Sequence, residues 1–74
     1  MLRTLRSYHR KFIKITLQKS VPMNGIISYY VVEVRQLVDN VSAEMSTKSE
    51  LNANKYFNAA CERLNARMDN NPHI

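Results

Sequence analysis

Apolar and polar residues alternate through residues 12–19, where Ile13, Ile15 and Leu17 point one way and Lys14, Thr16 and Gln18 the other. A period of two marks a strand with one buried face. Residues 26–35, Ile-Ile-Ser-Tyr-Tyr-Val-Val-Glu-Val-Arg, are dense in β-branched and aromatic side chains, which suit a pleated surface. Asn24-Gly25 stands between these runs and includes the chain's only glycine. Asn-Gly is the favoured pair for a two-residue type I′ turn, because both positions need a positive φ. A hairpin centred there puts Met23 opposite Ile26, Leu17 opposite Val32 and Ile15 opposite Val34 on one face. The other face receives Lys14 with Arg35, Thr16 with Glu33, Gln18 with Val31 and Ser20 with Tyr29. A one-residue slip would exchange the faces of one strand. Pro22 removes a ladder donor near the tip.

A second turn is expected at Asp39-Asn40, pairing Val38 with Val41, Gln36 with Ala43, Arg35 with Glu44 and Val34 with Met45. Arg35 and Glu44 would then form a cross-strand ion pair. A short helix over residues 36–46 is the competing reading of this stretch. Thr47-Lys-Ser-Glu50 has the form of a capping box. The spacing of Ala53, Phe57, Ala60, Leu64 and Met68, flanked by Tyr56 and Cys61, predicts a helix from about Lys48 to about Met68 with that stripe on the sheet. Asn70-Asn71-Pro72 ends it.

The expected fold is therefore α+β: a three-stranded antiparallel sheet, hairpin plus third strand, with one C-terminal helix packed on one face. It forms a single domain over residues 1–74, with a basic N-terminal segment at 1–11, strands within 12–46, the helix within 47–69 and a tail at 70–74. If the third strand meets only residues 33–38, the hairpin tip at 19–29 lacks a third neighbour. Val21, Pro22, Met23, Ile26, Ile27, Tyr29 and Tyr30 then make an apolar contact surface.

Size and charge narrow the function. A 74-residue domain buries only roughly 60% of the surface its unfolded chain exposes, which leaves little room for a deep catalytic cavity. Small scaffolds add disulfides, a metal or a second copy of themselves. Cys61 is the only cysteine, so an intrachain disulfide is excluded, a homodimer stays open, and a reducing, cytoplasmic compartment is expected. Cys61 itself reads as a small core residue. No apolar run approaches the roughly 18 residues of a membrane span, and no membrane partner is expected. Residues 1–19 hold six basic residues and no acid, while residues 20–74 hold five basic and six acidic ones. The segment 1–11 is Arg-rich and acid-free like a mitochondrial presequence, but it runs straight into a strand pattern. Such asymmetry reads either as an arm that meets a polyanion or as an edge whose lysines block strand pairing.

No nucleophile and base are paired by spacing, and His9 and His73 sit far apart with no Cys or acid at metal-ligand spacing. One glycine makes no phosphate-binding loop. No enzymatic activity, cofactor or metal is expected.

Two stretches carry resemblances. Tyr56-Phe-Asn-Ala-Ala-Cys-Glu-Arg-Leu64 resembles the helix motif of the Hha/YmoA nucleoid modulators, an all-helical family from which the upstream hairpin departs. The order hairpin, strand, capped helix, carried by Asn24-Gly25, Tyr29-Tyr30-Val-Val and Ser46-Thr-Lys-Ser-Glu50, is similar in pattern to the arm-binding domains of tyrosine recombinases. That resemblance implies a sheet laid into the DNA major groove with the helix behind it. The same small architecture is similar to phage-encoded inhibitors such as anti-CRISPR proteins, which implies a protein that blocks a host surface or nucleic-acid channel.

The expectation is a small binding protein, phage- or mobile-element-encoded, that inhibits or modulates a host protein or nucleoprotein complex. Direct DNA or RNA binding through the sheet and the basic segment, or nucleoid and transcription modulation, is the alternative. For either partner the candidate contact residues are Arg3, Arg6, Arg10, Lys11, Phe12, Lys14, Lys19, Met23, Ile27, Tyr29 and Arg35. In the protein reading, Tyr29, Tyr30, Ile27, Met23 and Phe12 serve as anchors, with arginines at the rim. In the nucleic-acid reading, the cations neutralise phosphates and Phe12 and Tyr29 stack on bases.

Overall fold

Five elements follow one another in the computed structural model, which describes residues 1–36 and 40–70: β1 (Leu2–Arg10), β2 (Ile13–Ser20), β3 (Ser28–Arg35), β4 (Asn40–Thr47) and α1 (Glu50–Asn70). The strands form one antiparallel meander in the order β1-β2-β3-β4, and the helix lies across one face. The class is α+β as expected, but the sheet has four strands and not three. The basic N-terminal segment supplies the extra one. β1 pairs with β2 along its length, with a register break between Thr4 and Arg6. That break explains why no single period of two runs through residues 2–10: residues before and after Leu5 sit out of phase.

The hairpin forms in a different register from the one the Asn-Gly pair predicts. Leu17 lies opposite Val31 and Ile15 opposite Glu33, one residue away from the expected pairing. Tyr29 and Val31 consequently face the helix and are buried, while Tyr30, Val32 and Val34 turn to the opposite face. Two causes combine. Residues 29–32 are apolar on both faces, so alternation there does not select between them, and Glu33 on the helix-facing side is met by Arg67 at 3.7 Å. The turn is also not a two-residue type I′ turn. Pairing stops at Ser20–Ser28, and the intervening loop closes with a Gly25 N–H to Pro22 carbonyl bond of 3.0 Å. Asn24 Oδ1 accepts from the Ile26 N–H at 3.1 Å, and of the Asn24-Gly25 pair Gly25 alone takes a positive φ, of 80°. Proline at position 22 lacks the N–H needed to extend the ladder.

β4 is a strand, not a helix, but it too is shifted. Met45 lies opposite Val31 and Ala43 opposite Glu33, and the register then breaks so that Val41 faces Val34. The expected Arg35–Glu44 pair does not form, because Arg35 lies opposite Asn40 and Glu44 opposite Val32. Val38 and Asp39 of the expected second turn lie outside the described residues. Since β4 reaches Tyr29 through Thr47, the part of the hairpin without a third neighbour shrinks to the loop 21–27.

The helix begins two residues later than expected. Ser49 is its cap: Ser49 Oγ accepts from the Asn52 N–H at 3.3 Å. Thr47 ends β4 and accepts from the Ser49 N–H at 3.1 Å, so the Thr47–Glu50 capping box is not made. Glu50 stands in the first turn and accepts from the Tyr29 hydroxyl at 3.4 Å. The predicted apolar stripe is the buried one. Ala53, Phe57, Ala60 and Leu64 join Ile15, Leu17, Tyr29 and Val31 in a single core, with Tyr56, Cys61 and Met68 packed at its margin. Two alanines in the stripe let the helix approach the sheet closely, and each large side chain buried there contributes about 1.5–3 kcal/mol.

Candidate protein-docking surface

The sheet's geometry distributes the eleven candidate contact residues over three places. Arg6, Arg10 and Tyr8 face the helix, because they lie opposite Leu17, Ile13 and Ile15 on β2. The Arg6 guanidinium sits 4.4 Å above the Phe57 ring and donates to Asn54 Oδ1 at 3.0 Å. Arg10 donates to Asn65 Oδ1 at 2.6 Å and to Asp69 Oδ1 at 2.8 Å, and Asn65 Oδ1 also accepts from the Tyr8 hydroxyl at 2.7 Å. Asp69 lies in the last helical turn, where the helix dipole disfavours an acid. Arg10 offsets that penalty, and hydrogen bonding to Asp69 raises the Arg10 pKa further. These two arginines hold β1 to the helix.

Tyr29 also leaves the contact set, since it is only 6% exposed. Burial pushes its phenol above the ordinary value, and the charge of Glu50 adds to the shift. Burial likewise raises the Cys61 thiol, partly opposed by Arg6. This is the opposite of the shift a reactive thiol needs. Between β1 and α1 lies an open cleft of about 410 Å³, lined by Arg6, Tyr8, Phe57, Cys61 and Asn65 among others. Among the described residues no three His, Cys, Asp or Glu side chains gather as a metal site, and no helix is long and apolar enough to cross a membrane.

The remaining candidates divide between the two ends of the sheet. Arg3 and Lys19 are cross-strand partners at the end where β2 passes into the loop 21–27. Met23 is fully exposed at that loop, and Val21, Ile26 and Ile27 are exposed beside it. Met1 and Leu2 belong to the same end: the Val21 N–H donates to the Met1 carbonyl at 2.9 Å, Leu2 pairs with Ser20, and both side chains are exposed. Sequence reasoning found the loop but missed the contribution of residues 1 and 2, since the register break in β1 hid that strand. No carboxylate occurs before Glu33, so every acid at this end comes from other elements. Lys11, Phe12, Lys14 and Arg35 gather at the opposite end, around the β1–β2 turn.

The loop end is thus a cluster of large aliphatic side chains over two cations. Its backbone is held by the Pro22–Gly25 turn, the Asn24 side chain and the pairing with residue 1. Comparison with protein families, with curated proteins and with solved structures finds no match to this chain.

Proposed function

We propose that the chain is a small binding protein that docks its loop end on a protein partner and thereby inhibits or modulates a host protein or nucleoprotein complex, in the manner of phage-encoded inhibitors. The carrying observation is the exposure of Val21, Met23, Ile26 and Ile27 on one braced loop. Apolar side chains concentrated at a protruding end are costly to leave in water unless something covers them. The cations Arg3 and Lys19 beneath them favour a partner whose apolar groove is rimmed by carboxylates. Direct nucleic-acid binding through one continuous basic face is less well supported. Arg6 and Arg10 are engaged by the helix, and the outer sheet face carries Glu44, Tyr30, Val32 and Val34 beside Lys14. Strand-addition dimerisation is also disfavoured, because both edge strands carry register breaks of the kind that blunt a sheet edge.

The test is affinity capture from the native host, with its phages and plasmids, followed by titration of the purified partner. Wild-type protein should retain the partner, and a Met23→Asp/Ile26→Asp variant of unchanged circular dichroism should not. Equal capture by both proteins, or binding to anionic vesicles in place of any protein, would sink the reading.

A further inference from the structure

We infer that the opposite end of the sheet, around the β1–β2 turn, is a binding platform for single-stranded nucleic acid, with Phe12 stacking on a base and Lys14 and Arg35 contacting the flanking phosphates. This site is separate from the loop end and does not depend on the protein-docking reading. The eight residues of β2 put about 25 Å between the two ends.

Phe12 is 59% exposed, although it is one of the chain's two phenylalanines and the other is buried in the core. It occupies the second place of the two-residue turn between Arg10 and Ile13. Lys11 before it adopts φ 54°, a left-handed conformation that glycine takes freely and lysine only with strain. Strain of that kind collects at functional positions. The Phe12 carbonyl accepts from the Gln36 N–H at 2.7 Å, which ties the turn to the end of β3 and holds its backbone in place.

The charges around this ring are arranged on both sides of the sheet. Lys14 lies on the outer face beside His9 of the neighbouring strand, and Arg35 lies on the helix face opposite Ile13. Both cations are exposed. The described carboxylates nearest this end are each met by an arginine, Asp69 by Arg10 at 2.8 Å and Glu33 by Arg67 at 3.7 Å. A chain crossing the turn would therefore set one base on the Phe12 ring and meet a cation on either side. Aromatic stacking inside a positive frame is how proteins hold single strands with little sequence preference. A duplex keeps its base faces covered, so it gains nothing from Phe12. An acidic peptide would use the cations but not the ring.

Fluorescence anisotropy with labelled oligothymidylate and oligouridylate tests this on the full chain. Binding should appear at about 50 mM salt and weaken with a log–log slope of about −1.5 to −2, as expected for two or three phosphate contacts to a single strand. Phe12→Ala should weaken binding by about tenfold, and Phe12→Tyr should restore it. Lys14→Ala and Arg35→Ala should each flatten the salt slope by about 0.7. Met23→Asp/Ile26→Asp should leave oligonucleotide binding unchanged, so failure at one end is distinguishable from failure at the other. The inference is overturned by absence of binding at low salt, by a duplex bound as tightly as a single strand, by indifference to Phe12→Ala, or by displacement with polyglutamate at equal charge concentration.

Discussion

The two ends of this sheet carry opposite chemistry on the same strands. At the loop end, aliphatic side chains crowd a seven-residue connection, and the nearest buried anchor is Tyr29, which reaches the first turn of the helix through Glu50. At the turn end the connection is two residues long, its exposed side chain is aromatic, and its tie to the helix is the polar set Tyr8, Arg10, Asn65 and Asp69. The lesson concerns how a small domain divides its work. Among the described residues a core of eight buried side chains occupies the middle of the slab, and the exposed side chains at both ends are left out of it. The end fixed by a buried side chain tolerates a long apolar loop, while the end fixed by surface polar contacts is kept short.

That contrast can be broken by substitution. Tyr29→Ala removes the buried anchor of the loop end and should cost about 3–5 kcal/mol, the range for an aromatic truncated in a core. Asp69→Ala removes only an exposed ion pair at the turn end and should cost about 1 kcal/mol or less. Chemical denaturation measures both, and comparable losses would show that the ends are anchored alike. Next in size is partner affinity. Met23→Asp/Ile26→Asp should lower it by about thirtyfold or more, as expected for central apolar anchors. Lys14→Ala/Arg35→Ala should change it by less than about threefold, as expected for residues outside the contact. A reversed order, read by titration of the captured partner, would assign docking to the wrong end.

A smaller effect sharpens the anchoring itself. The Tyr29 phenol has a raised pKa in the fold, so its neutral form is the one the fold favours. The unfolded phenol ionises from about pH 10 while the folded one still holds its proton, and the unfolded chain then binds fewer protons. The stabilisation is complete below that pH and falls as pH rises towards the folded value. Melting temperatures followed from pH 9 to pH 11 should therefore drop more steeply in wild type than in Tyr29→Phe. Cys61 titrates in the same direction in both proteins and cancels from the comparison. Parallel curves would mean that Tyr29 is not the titrating anchor.

Legibility differed from strand to strand for physical reasons. β2 was readable because Ile13, Ile15 and Leu17 alternate with polar residues, and only one face of it suits a core. β3 was readable as a strand but not in register, since Tyr29 and Val31 compete with Tyr30, Val32 and Val34 for the inside. β1 shows in the sequence only as a basic segment, an arm or an edge, because a register break at residues 4–6 shifts its alternation and its helix-facing residues are Arg6, Tyr8 and Arg10. Those side chains pair with the exposed margin of the helix, which leaves no hydrophobic period to detect. The candidate site suffered in the same way. Met23 and Ile27 remain on the surface as expected, whereas Tyr29 is buried and Arg6 and Arg10 are engaged.

The sequence alone determined the α+β class, strand character within residues 12–19 and 26–35 (of which Ile26 and Ile27 fall in the loop), the helix and its buried stripe, and the reversal of the chain at the single glycine with exposed apolar residues around it. Each of these rests on local periodicity or on one residue's backbone freedom, which the chain carries without reference to its neighbours. Tertiary structure alone decided which face of β3 is inside, that the basic segment is a fourth strand, and which cations are engaged with the helix. Those depend on pairings between residues far apart in the chain. Several registers there satisfy the local pattern, and the contacts Tyr29–Glu50, Glu33–Arg67 and Arg10–Asp69 accompany the one adopted.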